Sequence, residues 1–572
     1  MNKPHFIPKS KHLLIALTGV LLLTFVFSSS QAVLADTLGQ KTVFNVNSSY
    51  DRFARESISA TLQHVGTNAY FYVEDAYYDA LSPQAKSNFI SQVQSLANEF
   101  DSIIYPKITG FFGSEPNPGV DNDPHITVLL ENLKSGTGGY YETVNQYSKN
   151  NDPDSNEREM ITISSSAVLS GNASVFITHE LQHLISFNQK ELRNNVNEEV
   201  WLNELRSQYA ITVAGYNTSP INSDLENREN LFISNSTDSL TEWPNTFPDY
   251  AIATIFGHYL VDQYGPDILK SSLTSSLVSI DSIDQFLISG GYQERFTDVF
   301  GSWAIASYLN DRTKNPKYGY ANDILKDLRV PLTRSDLLPA VGRIELVESL
   351  KPWQANWYRY QVNPNQNSQE SISLDMSLSA SGFSFFYFDN LSRAGKLTKA
   401  QTVIDNPGGL EWFVLIPVNA SKKSGFGQSD SPLTMRYALS YVPRTSGTLF
   451  VNDTSPAIPE GSLIKKPGQK ELYVVTGKYK RYLSPEVVAL YGHLDPSKAI
   501  EVSPAVFDSY TTSNYIRYVI DKKVYAVWPD NTKHWLNMSA ELFTQSGRDW
   551  NSIFIISERE YNFYKTGEDI KR

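Results

Sequence analysis

Residues Phe176–Phe187 read FITHELQHLISF, and how that stretch folds decides what kind of protein this is. As a helix opening after Gly171-Asn172, with Asn172 at the N-cap, it places His179 and His183 on one face, one turn apart. Ile177, Leu181, Leu184 and Ile185 fall opposite them, so one helix can bury an apolar stripe and turn two imidazoles the other way. Glu180 projects between those faces. Two neutral imidazoles and a carboxylate can bind zinc and leave a fourth position for water, whose pKa the metal lowers toward neutrality. A carboxylate that is not a ligand can accept the proton of that water and deliver it to a leaving amine. His179-Glu180-Leu181-Gln182-His183 has those parts at metalloprotease spacing. The competing reading is a core helix that happens to contain histidines.

A third ligand has to come from elsewhere. Asn197–Ala210, NEEVWLNELRSQYA, reads as a helix with Trp201, Leu205 and Tyr209 on one stripe. Glu204 follows His183 by 21 positions and sits among apolar neighbours, where a lone carboxylate needs a partner. Glu198 and Glu199 compete for the role.

The rest of the chain narrows the chemistry. It has 572 residues, enough for two to four domains. It contains no cysteine, which excludes a thiol nucleophile and leaves nitrogen and oxygen as the only metal ligands. The N-terminus reads as an export signal: Lys3, Lys9 and Lys11 precede an apolar run from Leu13 to Phe27, and Val33-Leu34-Ala35 offers a cleavage site before Asp36. Removing residues 1–35 takes three of the 49 lysines and arginines and none of the 61 acids, for a formal charge of −15. That balance argues against a nucleic-acid partner, and no second long apolar run suggests a membrane span. A secreted protein is expected, either free or associated with the cell surface.

Strand-like alternation over residues 57–75, a helical segment from Pro83 to Tyr105, a strand at Ile126–Leu130 and another after SNEREMITI precede the histidine helix. Helical patterning dominates from Val200 to Leu328, with stops at Gly265 and Gly290-Gly291 and an N-cap at Thr297. Strands followed by helices predict an α+β unit. Near residue 340 the pattern changes to short alternating runs such as WYRYQV, FSFFYF and EWFVLIPV, which predict a β-sandwich. RTSGTLFVNDTSPAIPEGS reads as a linker. Beyond it Tyr473 matches Tyr525, Tyr482 matches Trp535, Ser484 matches Ser539 and Glu486 matches Glu541, offsets of 52 to 55 that mark an internal duplication. GVDNDPH reads as a turn before a strand rather than a calcium loop. His64, His125, His493 and His534 lack ligand spacing.

HELQHLISF followed by WLNELRSQYA resembles the gluzincin zinc peptidases, whose third ligand is a downstream glutamate, and within them the hyicolysin family of secreted bacterial metallopeptidases. The likeness extends through GVDNDPHITVLLENL, GGYYETVNQY, SNEREM and ATIFGHYLVDQYG, roughly residues 60–310. It implies that His179, His183 and Glu204 hold Zn2+ and that Glu180 is the general base. PDYAIATIFGHYL is similar to the helix start that carries the oxyanion tyrosine in gluzincin aminopeptidases, which implies Tyr250 for that role, with His258 and Tyr259 as runners-up. The Gly-x-Met-Glu-Asn stretch that captures a free amine in those aminopeptidases is absent, so internal cleavage of protein or peptide substrates is expected, with SGTGGYYETVNQY as a substrate-binding edge.

The expected organisation is a signal peptide (1–35), an α+β zincin-like metallopeptidase domain (36–335), an all-β sandwich (340–445) and a small tandem repeat (460–567) that contacts a cell-envelope component or the substrate. The second expectation is a surface-associated binding or adhesion protein on a catalytically inactive zincin-like scaffold. An intact Glu180 weighs against it, because a pure binder has no use for a base.

Overall fold

The computed structural model describes residues 35–218, 223–363, 370–397, 401–406, 408–443, 458, 461–502, 504–518 and 521–571. The apolar run of the expected signal and most of the expected linker lie outside them. The chain divides into two compact units, Met1–Ala35 and Asp36–Arg572, and every described helix and strand belongs to the second. Its Asp36 carboxylate accepts hydrogen bonds from Gln40 (2.6 Å) and Tyr72 (2.7 Å) and pairs with Arg158.

The alternating stretch at 57–75 forms a hairpin inside a six-stranded sheet. Its strands are β1 (Lys41–Asn45), β2 (Ser57–Val65), β3 (Ala69–Glu74), β4 (Ile126–Glu131), β5 (Gly139–Tyr140) and β6 (Met160–Ser164), ordered β1-β2-β3-β4-β6-β5. β3, β4 and β6 run parallel, whereas β5 is antiparallel at the edge. Helices α1 (Asp75–Asp79), α2 (Pro83–Glu99) and α3 (Tyr105–Phe112) carry the chain from β3 to β4. The unit is therefore mixed α/β, with crossover helices within the sheet topology instead of strands simply preceding helices. The cause is visible in AYFYVE, ITVLLE and MITIS, which are buried at every position, as parallel strands covered on both faces are.

A helical layer follows: α4 (Ser165–Ser170), α5 (Ala173–Ser186), α6 (Val200–Ala214), α7 (Asp224–Ser234), α8 (Phe247–Tyr264), α9 (Asp267–Thr274), α10 (Ser279–Ser289) and α11 (Phe296–Leu309). α8 and α10 stop at Gly265 and Gly290, where expected. Thr297 is not the N-cap of α11: the cap is Arg295, two residues earlier, where Asp298 reaches back to accept the Arg295 backbone N–H at 3.0 Å. No helix of the described residues is long and apolar enough to cross a membrane.

Nine strands between Arg334 and Pro443 form two facing sheets. They are β7 (Arg334–Leu337), β8 (Arg343–Leu350), β9 (Tyr358–Gln361), β10 (Glu370–Asp375), β11 (Phe383–Asp389), β12 (Ala394–Leu397), β13 (Gln401–Ile404), β14 (Trp412–Asn419) and β15 (Leu433–Pro443). In β11 and β14 the residues Phe385, Tyr387, Phe413 and Leu415 fill the space between the sheets. Their neighbours Phe386, Phe388, Val414 and Ile416 belong instead to the core of the helical layer. FSFFYF and WFVLIPV are thus continuous apolar runs because both faces are buried. The sandwich also braces the approach to α8, where Trp243 N–H donates to the Gly427 carbonyl at 2.9 Å.

One contact makes that shared core testable. A Cβ placed on Gly301, inside α11, would lie 2.0 Å from the Phe386 ring, which is 2% exposed and cannot move aside. Alanine in a helix interior ordinarily stabilises by about 1 kcal/mol over glycine. Gly301→Ala is expected to do the reverse, costing about 1–3 kcal/mol through overpacking. Chemical denaturation of the two proteins checks this.

Two five-stranded sheets follow: β16 (Leu463–Lys465), β17 (Leu472–Thr476), β18 (Tyr479–Leu483), β19 (Ile500–Glu501) and β20 (Thr511–Thr512), ordered β19-β16-β17-β18-β20, and β21 (Tyr515–Tyr518), β22 (Tyr525–Val527), β23 (Thr532–Trp535), β24 (Ile553–Ile556) and β25 (Lys565–Thr566), ordered β24-β21-β22-β23-β25. In both, the outer pairs are parallel and the inner pairs antiparallel. Tyr473 faces Tyr482 across one sheet and Tyr525 faces Trp535 across the other. Ser484 and Ser539 cap corresponding helices, accepting the backbone N–H groups of Val487 and Leu542.

Candidate metal centre

α5 spans the histidine stretch as its periodicity predicts, with Asn172 at the N-cap position. The cap is made by backbone, since the Asn172 side chain turns to Ser170 Oγ (3.3 Å) while its carbonyl accepts Val175 N–H at 3.2 Å. Ile177, Leu181, Leu184 and Ile185 are fully buried, as the apolar stripe requires. The histidine face is buried too, against α6 and the sheet edge. There the strand approaches through Gly138 and Gly139. A Cβ on the first would lie 2.2 Å from the Phe176 ring, and one on the second 2.8 Å from the Thr162 carbonyl and 3.3 Å from Glu180 Cγ.

Three side-chain atoms converge. His179 Nε2 and His183 Nε2 are 3.0 Å apart, and Glu204 Oε2 lies 3.2 Å from the first and 3.5 Å from the second. A tetrahedral zinc with bonds of about 2.0–2.2 Å holds its ligand atoms about 3.3 Å from one another, so the three atoms fit that ion. Glu204 Oε2 is buried and has no hydrogen-bonding partner beyond this meeting point among the described residues. Burial alone would raise the Glu204 carboxyl, but the His183 charge and hydrogen bonds from both imidazoles hold it well below its usual range. His183 moves the opposite way: burial lowers it and Glu204 more than reverses that. A metal cation would replace the shared positive charge.

The competing acids are engaged elsewhere. Glu198 pairs with Arg206 (2.9 Å) and Lys190 (3.2 Å), and Glu199 accepts the Gly425 backbone N–H at 2.5 Å. Glu180 brings a carboxylate oxygen within 4.8 Å of the imidazole nitrogens, yet accepts no hydrogen bond from the described residues. Burial raises its pKa, the histidine charges lower it and Glu204 raises it further, for a net upward shift.

Two residues behind the imidazoles escaped sequence reasoning. Ser207 and Gln208 lie three and four positions after Glu204, on the same face of α6, and that spacing was the available signal. Ser207 donates to Gln182 Oε1 at 2.5 Å, so at 3.1 Å it accepts the Nδ1 proton of His183, and a bound metal could take the place of the Nε2 proton. For His179 the bookkeeping fixes an amide. As placed, Gln208 Nε2 faces His179 Nδ1 at 3.3 Å and Oε1 faces Thr254 Oγ1 at 3.2 Å. Thr254 has one hydroxyl proton, which goes to the Tyr250 carbonyl at 2.7 Å, an acceptor only. Gln208 must then donate to Thr254, and a half-turn of its amide sets the oxygen against His179 Nδ1–H. With both Nδ1 protons accepted in this way, each Nε2 would be the nitrogen offered to a bound metal.

Tyr250 flanks this centre with its ring 6.4 Å from that of His179, edge-on to Trp243 at 5.1 Å. Its hydroxyl donates to Asn245 Oδ1 at 2.7 Å. Burial, then the Glu204 and Glu180 charges, push its pKa far up, so it remains a phenol. The runners-up face away: His258 bonds Thr212 and Asn322, and Tyr259 donates to the Lys317 carbonyl. Tyr141, stacked on His183 at 6.4 Å, and Tyr50, stacked on Tyr140 at 5.0 Å, are further aromatics that the sequence did not single out. Burial and the charges of Glu142, Glu180 and Glu204 raise the Tyr50 hydroxyl.

The segment before β4 is a turn: Asp121 accepts Asp123 N–H and Asp123 accepts His125 N–H, both at 2.9 Å. His125 stacks on Tyr70, His493 on Tyr292 and His534 on Trp528, while His64 packs edge-on to Phe71.

No protein-family model matches the chain, and no curated protein matches it. Among solved structures it is similar to the periplasmic inhibitor of g-type lysozyme from Salmonella Typhimurium. That likeness covers 19% of this chain and 99% of the inhibitor, with 8% identity and a TM-score of 0.15, too slight to argue from.

Proposed function

We propose that the protein is a secreted zinc-dependent endopeptidase that hydrolyses internal peptide bonds of extracellular proteins. The observation that carries this is the meeting of His179 Nε2, His183 Nε2 and Glu204 Oε2 at 3.0–3.5 Å, with the Glu180 carboxylate beside them. Zinc held there would supply Lewis-acid activation of water and of the scissile carbonyl. Glu180 takes the proton of the attacking water and returns it to the departing amine. Tyr250 offers its phenol O–H to the oxyanion once that proton leaves Asn245. β5, antiparallel and at the sheet edge beside Glu180, gives an extended substrate a strand to pair with.

The mixed sheet ending in β5, with α5 packed against it, supports a zincin-like reading of residues 36–335. The matching topology of the last two sheets supports a tandem repeat that contacts a cell-envelope component. The expected test starts from purified residues 36–572. They should carry one zinc per chain, cleave casein, lose cleavage to a zinc chelator and regain it with added zinc. Cleavage indifferent to the chelator, or protein that neither holds nor takes up zinc, overturns the reading.

A further inference from the structure

One cation beside this centre takes no part in that chemistry. Arg228, on α7, places its guanidinium carbon 5.4 Å from the centre of the Tyr250 ring, and that ring borders His179. The Arg228 side chain is 16% exposed, its Nε is buried, and that nitrogen has no hydrogen-bond partner among the described residues. Asp224 pairs with it only loosely, 3.6 Å from Nε and too far for a hydrogen bond, and its own Oδ2 is buried and unpartnered among the described residues. Contact with an aromatic face satisfies the charge but none of the five N–H donors of a guanidinium. Those donors form a planar fork that matches a carboxylate.

The surroundings say what would fill the fork. α7 borders an open hollow of about 500 Å³ lined by Asn227, Asn230, Leu231, Ser234 and Phe247. Amides and a hydroxyl beside apolar side chains suit an extended peptide, and Phe247 lies three residues before Tyr250.

We propose that Arg228 and the α7 hollow form a subsite that binds a carboxylate of the substrate peptide. Two sources share that chemistry, an acidic side chain and a free C-terminus. The proposal rests on the peptidase reading for the nature of the ligand, and its test is binding, which needs no turnover. Three peptides of one sequence serve as probes: one neutral and amidated, one amidated with a single glutamate, and one neutral with a free C-terminal acid. Their affinities are measured by calorimetry on the full secreted chain carrying Glu180→Gln.

One carboxylate peptide should bind about tenfold more tightly than the neutral one, and which of them does so names the source. Adding Arg228→Gln should equalise the three. Arg228→Lys, which keeps the charge and loses the fork, should fall between, and it carries the test if the glutamine variant fails to fold. Equal affinities in the parent, no binding of any peptide, or a preference that survives both substitutions overturns the subsite. Failure of the unsubstituted enzyme to cleave any of the three counts separately, against the peptidase reading.

Discussion

Glu180→Gln is expected to purify with one zinc per chain and to cleave casein about 10²–10⁴-fold more slowly than the parent. The substitution leaves the three convergent atoms of His179, His183 and Glu204 untouched, so metal content should not change. An amide fills the same space against Gly139 but cannot take up a proton. The loss should therefore fall on turnover and spare the metal. Burial already raises the Glu180 pKa, so its ionised form is costly in the fold. The neutral amide avoids that cost, and the variant should be at least as thermostable as the parent at pH values where the acid is ionised. A thermal melt beside the activity assay thus separates lost chemistry from lost structure. Equal activity in the two proteins contradicts the assignment of Glu180 as the base.

Glu204→Ala is expected to lower zinc affinity by at least about a hundredfold, since losing even a partner behind a ligand costs about 10–100-fold. Neither of the competing glutamates stands ready to replace it. Glu198 is committed to Arg206 and Lys190, and Glu199 to the backbone of Gly425. The variant should also lose casein cleavage that excess zinc restores only in part. Zinc titration against a competing chelator reads the affinity directly, and full retention of the metal would move the third ligand elsewhere.

How much of this was legible in the sequence varied with the physics. The α5 stretch was readable because its apolar and imidazole positions follow a helical period. Glu204 was readable because WLNEL isolates one carboxylate among apolar neighbours. Ser207 and Gln208 were not, since polar residues one turn beyond a glutamate look like a solvated helix face until another helix is seen to cover them. Glu198 and Glu199 could not be dismissed until Arg206, Lys190 and Gly425 were seen to hold them. The parallel core of the sheet was hidden because AYFYV and ITVLL show burial on both faces but not strand direction. The same ambiguity concealed β11 and β14, whose outer faces are buried in the helical layer. Tyr250 was singled out among 33 tyrosines only through the likeness of PDYAIATIFGHYL, and its place beside His179 emerges from the packing of α8.

The central claim is that His179, His183 and Glu204 hold one zinc. Anomalous diffraction recorded on either side of the zinc absorption edge, from crystals of the secreted chain, tests it most directly. A single strong peak is expected within about 2.0–2.2 Å of His179 Nε2, His183 Nε2 and a Glu204 oxygen. Zinc-supplemented crystals with no peak there, or with the zinc bound elsewhere, would contradict the account.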